Sequence, residues 1–339
     1  MKNRLVQYSI IVLITFVLLE ASLRIFYSFD KESIFSLSLF HQDTSFFSRF
    51  TVKESIMVEA DTELGWRAKA GAHQFAWKVG PEKYRATINI STAGERLFSI
   101  HDRLQYPARP AIVFIGGSIT QGLGLNDNDI FASRVALANR HLGTANIAVA
   151  GYGTHQAFLR LKQYRWAQPG LVIYTLIEHH EQRNVNTMFM RLTRVLSRNC
   201  RLKIPIVSLT DSMLVETYSK PDACDEFSFW QNLPVKSIAL GYFVMAHLND
   251  ERAAYAHHAT REVIKGLNDW LKKRNSRLLI SFLQADTFEK YQAFLSEQQI
   301  DSVSQKKPLA NLPYDRLHPD AASHRQIAAT LNRYLKNAD

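Results

Sequence analysis

The chain reads as an α/β protein, a three-layer α/β/α sandwich on a parallel sheet, with an apolar N-terminal helix ahead of it. Three observations predict this. Short, almost wholly apolar runs at 111–115 and 171–177 have the character of strands buried on both faces. Amphipathic stretches of helical length alternate with such runs, which builds βαβ units. The composition, 339 residues with 46% hydrophobic and 21% charged, is that of one large globular domain with appendages.

The first element, residues 1–30, stands apart. Lys2 and Arg4 precede an apolar run over 10–19, and Glu20 and Arg24 follow at i,i+4 spacing, where they can pair. A basic start before an apolar core is a secretory signal or a signal anchor. Taken as a helix, residues 5–26 supply about the 20 residues a bilayer needs. Leu19-Glu20-Ala21 is a poor cleavage site, which favours a retained transmembrane anchor over a cleaved signal; a buried soluble helix is the third reading. With Lys2 and Arg4 held inside, the expectation is a single-pass protein of the inner membrane whose main domain faces the periplasm or another extracytoplasmic space.

Residues 31–109 form a second region. A mixed, Phe-rich juxtamembrane stretch runs to about residue 60, and a β-rich preamble follows, with Leu64-Gly65-Trp66, Phe75-Ala76-Trp77 and the run from Tyr84 reading as short strands. The α/β domain is expected over 110–339. Its first strand, 111–115, feeds Gly116-Gly117-Ser118. A helix over 129–141, a strand at 146–149, a helix at 154–166 and a strand at 171–177 come next. Regularity lapses over 182–245, where Pro, Ser, Asp and both cysteines gather, as in an insertion at one rim of the sheet. The pattern resumes with a helix over 250–274, a strand at 277–283, a helix over 287–298 and a last helix over 319–335, with Pro319 suited to its first position.

Charge and cysteines bound the chemistry. The formal net charge is +10, spread along the chain without the aromatic interleaving of a nucleic-acid surface; it suits a solvated basic face toward anionic lipid or glycan. No nucleic-acid partner is expected. Cys200 and Cys224 can close a disulfide in an exported domain or remain two unrelated buried thiols.

In an open parallel sheet, ligands bind beyond the carboxyl ends of the strands, and Gly116-Gly117-Ser118-Ile119-Thr120-Gln121-Gly122 lies at such a place. Gly117 and Gly122 have the spacing of a phosphate loop, but Leu123 stands where its lysine must be. The dinucleotide fingerprint is absent, and Thr120 replaces the last glycine of a Gly-x-Ser-x-Gly elbow. A serine on a glycine-rich turn is left, which alone is commonly only a turn. Far along the chain, Asp315 precedes His318 by three residues, just ahead of a helix. That spacing lets a carboxylate hold the imidazole tautomer while the ring takes a proton from a serine. Separately, Asp315 reads as a helix cap and His318 as a loop residue; with Ser118 they make a Ser-His-Asp set.

These motifs resemble those of the SGNH (GDSL-type) hydrolases. The first strand with Gly-Gly-Ser-Ile-Thr-x-Gly is similar to block I, Asn146-Ile147-Ala148-Val149-Ala150-Gly151 to block II, and Asp315-Arg316-Leu317-His318-Pro319 to block V, in the same order. The likeness covers about 110–180 and 277–335. Leu64-Gly65-Trp66 and the stretch Ile88, Asn89, Gly94, Arg96 are similar to the preamble of membrane-anchored bacterial members. The resemblance implies a flavodoxin-like sheet and a serine esterase or acyltransferase working through a Ser118 acyl-enzyme. It implies His318 as base, Asp315 as its orienting acid, and backbone N–H groups of Ser118 and Gly151 in the oxyanion hole.

Two departures stand out. Gly117 replaces the motif's aspartate, which costs little if the turn needs only backbone geometry. Where block III places Gly-x-Asn-Asp, this chain has Glu178-His179-His180-Glu181. By position His179 takes the asparagine's place as the third oxyanion donor; a charged His179 would make activity depend on pH near neutrality. No metal or other cofactor is expected, since adjacent histidines at a strand end point in opposite directions and no HExxH spacing exists. His257 and His258 read as helix surface, and His155 as a pocket or structural residue near Gly151. The expected substrate is an ester-bearing molecule, foremost an O-acylated cell-envelope glycan. A lysophospholipase or lipase is the second reading, and a degenerate module that binds a glycan or protein without turnover is the third.

Overall fold

The structure is a computed structural model describing residues 2–29, 57–79, 82–98, 111–168, 170–187, 190–191, 202–211, 213–219, 251–312 and 318–338. The chain divides into two units, one of Met1–Glu54, Thr187–Arg201 and Lys220–Glu251, the other of Ser55–Asn186, Leu202–Ser219 and Arg252–Asp339. The first contains α1 (Lys2–Phe29). Its apolar side chains from Ile10 to Leu19 are exposed. Among the described residues no helix is long and apolar enough to cross a membrane. The side chains at 2–6, 20 and 23–29, which include both ends of the expected 5–26 span, lie outside the described residues, as do the 31–56 stretch, Cys200 and Cys224.

The second unit opens with two antiparallel pairs, β1 (Val58–Asp61) with β2 (Gly65–Ala68), and β3 (Gly71–Val79) with β4 (Glu82–Ile90). Next come β5 (Ile112–Ile115), α2 (Ser118–Gln121), α3 (Phe131–Ala138) and β6 (Thr144–Asn146). They are followed by α4 (Thr154–Gln163), β7 (Leu171–Leu176) and α5 (His179–Val185). The antiparallel hairpin of β8 (Pro205–Thr210) and β9 (Met213–Tyr218) falls within the expected insertion. The chain ends with α6 (Glu251–Lys272), β10 (Arg277–Phe282), α7 (Ala285–Glu297), β11 (Asp301–Ser304) and α8 (Ala321–Ala338).

Five strands form one parallel sheet in the order β11-β10-β7-β5-β6. Numbered along the chain this is 2-1-3-4-5, the flavodoxin-like order, which reverses between its first and third strands. Alternation along β5 shows why the strands are apolar throughout. Val113 and Ile115 pack with Ala157 and Leu161 of α4, Ile264 and Leu267 of α6 and Phe294 of α7. Ile112 and Phe114 pack on the opposite face with Phe131 and Val135 of α3 and Ile327 and Leu331 of α8. Each such fully buried aliphatic contributes about 1.5–3 kcal/mol relative to exposure. A third cluster joins Leu64, Ile88 and Ile90 of the preamble to Leu123, Val149 and Tyr152, so the preamble is built into the loops at the sheet's carboxyl edge.

The last helix differs from its expected start. Pro319 pairs in an isolated bridge with Asn311, and α8 begins two residues later. Asp320 is the better starter: its Oδ1 accepts the Ser323 N–H at 2.7 Å and its carbonyl accepts the His324 N–H at 2.9 Å, which satisfies donors that a helix start leaves free.

Candidate active site

The site grows from the reversal point of the sheet. β5 runs into Gly116-Gly117, and Ser118 is the first residue of α2. This single turn is held from outside. Arg96, in the stretch after β4, is buried and donates from Nη1 to the carbonyls of Gln121 (3.2 Å) and Gly122 (3.3 Å) and from Nη2 to that of Leu125 (2.7 Å). Burial lowers the guanidinium's pKa, while Asp127, whose Oδ1 lies 2.8 Å from Arg96 Nε, opposes the shift. Asp127 in turn accepts from the backbone N–H of Asn89 at 3.0 Å and from its side-chain amide. The Asn89 and Arg96 of the preamble motif therefore clamp the turn that carries Ser118. At the other end of that turn Gly122 has φ +78, and a Cβ there would fall 2.0 Å from Ile130 Cγ2.

The Ser118 side chain faces His318: Nε2 and Oγ are 2.8 Å apart. Ser118 is 8% exposed. The structure thus brings together two members of the expected set from opposite ends of the domain. Asp315 lies outside the described residues.

Gly151, φ +85, sits after β6 in a turn fixed from two sides. The Ala150 N–H donates to Gln121 Oε1 at 3.1 Å, tying this turn to α2. Trp66 Nε1 donates to the Ala150 carbonyl at 2.9 Å, and the Tyr152 hydroxyl donates to the Trp66 carbonyl at 2.5 Å. A Cβ on Gly151 would meet the Trp66 ring at 3.0 Å. Glycine is required here by both the left-handed backbone and the aromatic wall. Among the described residues, neither the Ser118 nor the Gly151 backbone N–H meets an acceptor.

The segment after β7 departs from the expectation. α5 starts at His179, and its helical turn sends His180 and Arg183, three residues apart on one face, against Gly117. A Cβ on Gly117 would lie 3.0 Å from His180 Nε2 and 3.2 Å from Arg183 Nη1. The volume an aspartate would occupy in the literal motif is filled by these two side chains, so Gly117 is matched to them and is not merely tolerated. Arg183 Nη1 donates to the Tyr152 carbonyl at 3.1 Å, and among the described residues its shielded Nε meets no acceptor. Burial lowers its pKa to about 10, with Tyr174 acting in the opposite sense; it stays charged at neutral pH. His179 is half-buried; burial, reinforced by Arg183, lowers its pKa to about 4. It is neutral near pH 7, so the charged oxyanion donor and the pH dependence expected from it are not available.

The remaining histidines have other occupations. His155 is buried on α4; its backbone N–H donates to Asn184 Oδ1 at 3.0 Å. His257 is not simple surface: its Nδ1 lies 3.0 Å from Glu181 Oε1, which also accepts from the Tyr291 hydroxyl at 2.7 Å, while Lys290 donates to Oε2 at 2.7 Å. Burial raises the Glu181 pKa, but the bonds from Lys290, Tyr291 and His257 outweigh it and hold the group below its ordinary value. His258 is exposed. Among the described residues no three His, Cys, Asp or Glu side chains gather as metal ligands would.

No family model and no curated protein matches the chain. Among solved structures it is similar to TesA, at 12% identity over 67% of this chain and 98% of that one, with a TM-score of 0.38. It is also similar to a member of the lipolytic protein G-D-S-L family from Veillonella parvula (10% identity, 66% and 97% covered, TM-score 0.37). A third is a catalytic mutant of an acetylxylan esterase from Geobacillus stearothermophilus (14% identity, 67% and 94% covered, TM-score 0.36). The superpositions are partial, and the chemistry rests on this chain's own residues.

Proposed function

We propose that the chain is a serine hydrolase or acyltransferase acting on ester bonds, with Ser118 as nucleophile, His318 as general base and Asp315 as the carboxylate that orients the ring. The observation that carries this reading is the 2.8 Å approach of His318 Nε2 to Ser118 Oγ, the geometry in which a ring nitrogen takes the hydroxyl proton as the oxygen attacks. As Oγ bonds to the ester carbon, charge develops on the carbonyl oxygen beside the N–H groups of Ser118 and Gly151, which are free to bind it. Collapse expels the alcohol, which takes its proton from His318. Water or an acceptor hydroxyl then attacks the acyl-Ser118 by the reverse route.

For the substrate we favour an O-acylated glycan. The partly buried Trp66 ring against Gly151 suits contact with a sugar, and the net charge of +10 suits an anionic polymer. The exposed apolar run of α1 favours a membrane anchor, and Lys2 and Arg4 ahead of it favour an extracytoplasmic catalytic unit. The test is labelling of the full-length chain with a fluorophosphonate probe and turnover of p-nitrophenyl acetate from pH 6 to 9. Both are expected in the wild type and absent in Ser118→Ala. A wild type that does neither at any pH overturns the enzyme reading in favour of a binding module.

A further inference from the structure

We infer that Trp66 and Gln121 are positioning residues of the oxyanion hole: between them they fix the two peptide groups that flank Ala150, and so aim the Gly151 N–H. This rests on the hydrolase reading above and deepens it, because it assigns the aim of one backbone donor to a side chain of the preamble and one of α2.

The need for such groups lies in the backbone. β5 and the chain leaving β6 stay joined through two ladder bonds, from the Ile147 N–H to the Phe114 carbonyl at 3.0 Å and from the Val149 N–H to that of Gly116 at 3.1 Å. Beyond them β5 coils into α2, and the other chain turns at Ala150-Gly151. Among the described residues no backbone hydrogen bond joins 117–122 to 150–152. Two side-chain amides take over. Asn146, fully buried, accepts the Ala148 N–H at Oδ1 (3.1 Å) and donates from Nδ2 to the Thr120 carbonyl (2.7 Å). Gln121, 2% exposed, reaches the other way, and its Oε1 accepts the Ala150 N–H at 3.1 Å. Backbone groups that can only donate or only accept orient both amides.

The bond to Gln121 fixes the peptide before Ala150. The peptide after it is fixed by Trp66, whose Nε1–H donates to the Ala150 carbonyl at 2.9 Å. That carbonyl shares a plane with the Gly151 N–H, and in a trans peptide the two point in opposite directions. The N–H is thereby turned away from the indole, and among the described residues it meets no acceptor. Turning the plane over is the soft alternative, because Gly151 has no Cβ to resist it. The Gly151 N–H would then face the indole N–H, a group with no lone pair to offer, and the carbonyl would stand where the N–H had been. Trp66 therefore selects one orientation of two. Its bond also polarises the peptide, which strengthens the N–H as a donor. Trp66 is itself held: the Tyr152 hydroxyl donates to its carbonyl at 2.5 Å, and the Tyr152 ring meets the indole edge-on with centroids 5.8 Å apart.

The test uses variants of the full-length chain, with kcat and KM on p-nitrophenyl acetate and on its thionocarbonyl analogue, in which sulfur replaces the carbonyl oxygen. The acetyl group is too small to need the indole as a sugar contact. Trp66→Phe keeps an aromatic ring and removes the N–H; Gln121→Met keeps the length and removes the acceptor. Each is expected to lose about 10–10² in kcat on the oxygen ester with KM within about threefold, less than the roughly 10²–10³ of a donor lost outright. Sulfur is a weak acceptor and draws less on the hole, so the ratio of kcat/KM between the oxygen and sulfur substrates should fall about fivefold or more in both variants. A merely structural role would lower both rates alike. A wild type that neither labels nor turns over overturns this inference together with the hydrolase reading. An active wild type whose Trp66→Phe variant keeps kcat within about threefold of it, or loses equally on both substrates, overturns this inference alone. Should the thermal transition show that Trp66→Phe does not fold, the same two outcomes are read from Gln121→Met.

Discussion

Replacing Arg96 by Met tests how far the preamble holds the nucleophile in place. Methionine keeps much of the buried stem and removes the charge and all four donor contacts. Arg96 is 2% exposed and pairs with Asp127 at 2.8 Å; removing one partner of such a buried pair costs about 3–5 kcal/mol, because the other charge stays behind. The carbonyls of Gln121, Gly122 and Leu125 also lose their cationic donor, but these contacts belong to the same network and do not add in full. With a urea slope of about 2–3 kcal/mol/M, the unfolding midpoint, followed by tryptophan fluorescence on the full-length chain, should fall by about 1–2.5 M. Labelling of Ser118 should slow, since the carbonyl end of α2 is released. Arg96→Met combined with Asp127→Asn should recover at least about 1 kcal/mol by removing the stranded carboxylate. A shift under about 1 kcal/mol in the single variant, or strict additivity in the pair, would refute the clamp.

Two further outcomes follow from the same geometry. Gly122→Ala combines a left-handed residue, φ +78, with a Cβ at 2.0 Å from Ile130 Cγ2; the strain and overpacking together should cost about 2–4 kcal/mol in thermal or urea unfolding, and a loss under about 1 kcal/mol would contradict that packing. Acid should weaken the fold well above the carboxylate range. His324 and His179, lowered by burial to about 3 and about 4, are neutral in the fold. Their contribution is complete above about pH 6.5 and is lost as pH falls through those values. Glu181, held below its ordinary value, acts in the same direction: its contribution is present above about pH 4.3 and disappears as pH falls through its folded value. The two histidines should therefore make the urea midpoint decline steadily from pH 7 to 4.5, and Glu181 should add to the loss below that; a flat profile from pH 7 to 4.5 would show that the histidines are not buried as described.

The strands at 111–115 and 171–177 were legible in the sequence because both their faces are covered, which leaves no polar position to blur the pattern. β11 was not, because Asp301-Ser302-Val303-Ser304 is an edge strand with no apolar run. Nor was the β8–β9 hairpin, whose Leu209 and Met213 are exposed and whose pattern therefore lacks a clean inner face. Ser118 and His318 could be found by motif and spacing, and the structure sets them within hydrogen-bond distance. That His180 and not His179 packs against Gly117 could not, because it turns on whether the chain after Leu176 stays extended or coils into α5. A hint existed: His180 and Arg183 share a helical face, and reading Gly117 as a vacancy to be filled would have pointed to them. Arg96 stood out in the preamble motif, but its partner Asp127 was beyond reach, since a buried ion pair 31 residues apart leaves no trace in local pattern.

The clamp from Asn89 and Arg96 and the Trp66 wall come from sequence that precedes the first strand of the parallel sheet. A fragment cut at residue 110, just ahead of β5, would keep Ser118 and His318 yet lose the groups that fix the turns at Gly122 and Gly151. For anyone recombining this domain with relatives, the heritable unit therefore includes the segment 57–98. Segments 57–98 and 111–153 should be exchanged together, because Arg96 has meaning only opposite Asp127, and Trp66 only beside a glycine at position 151.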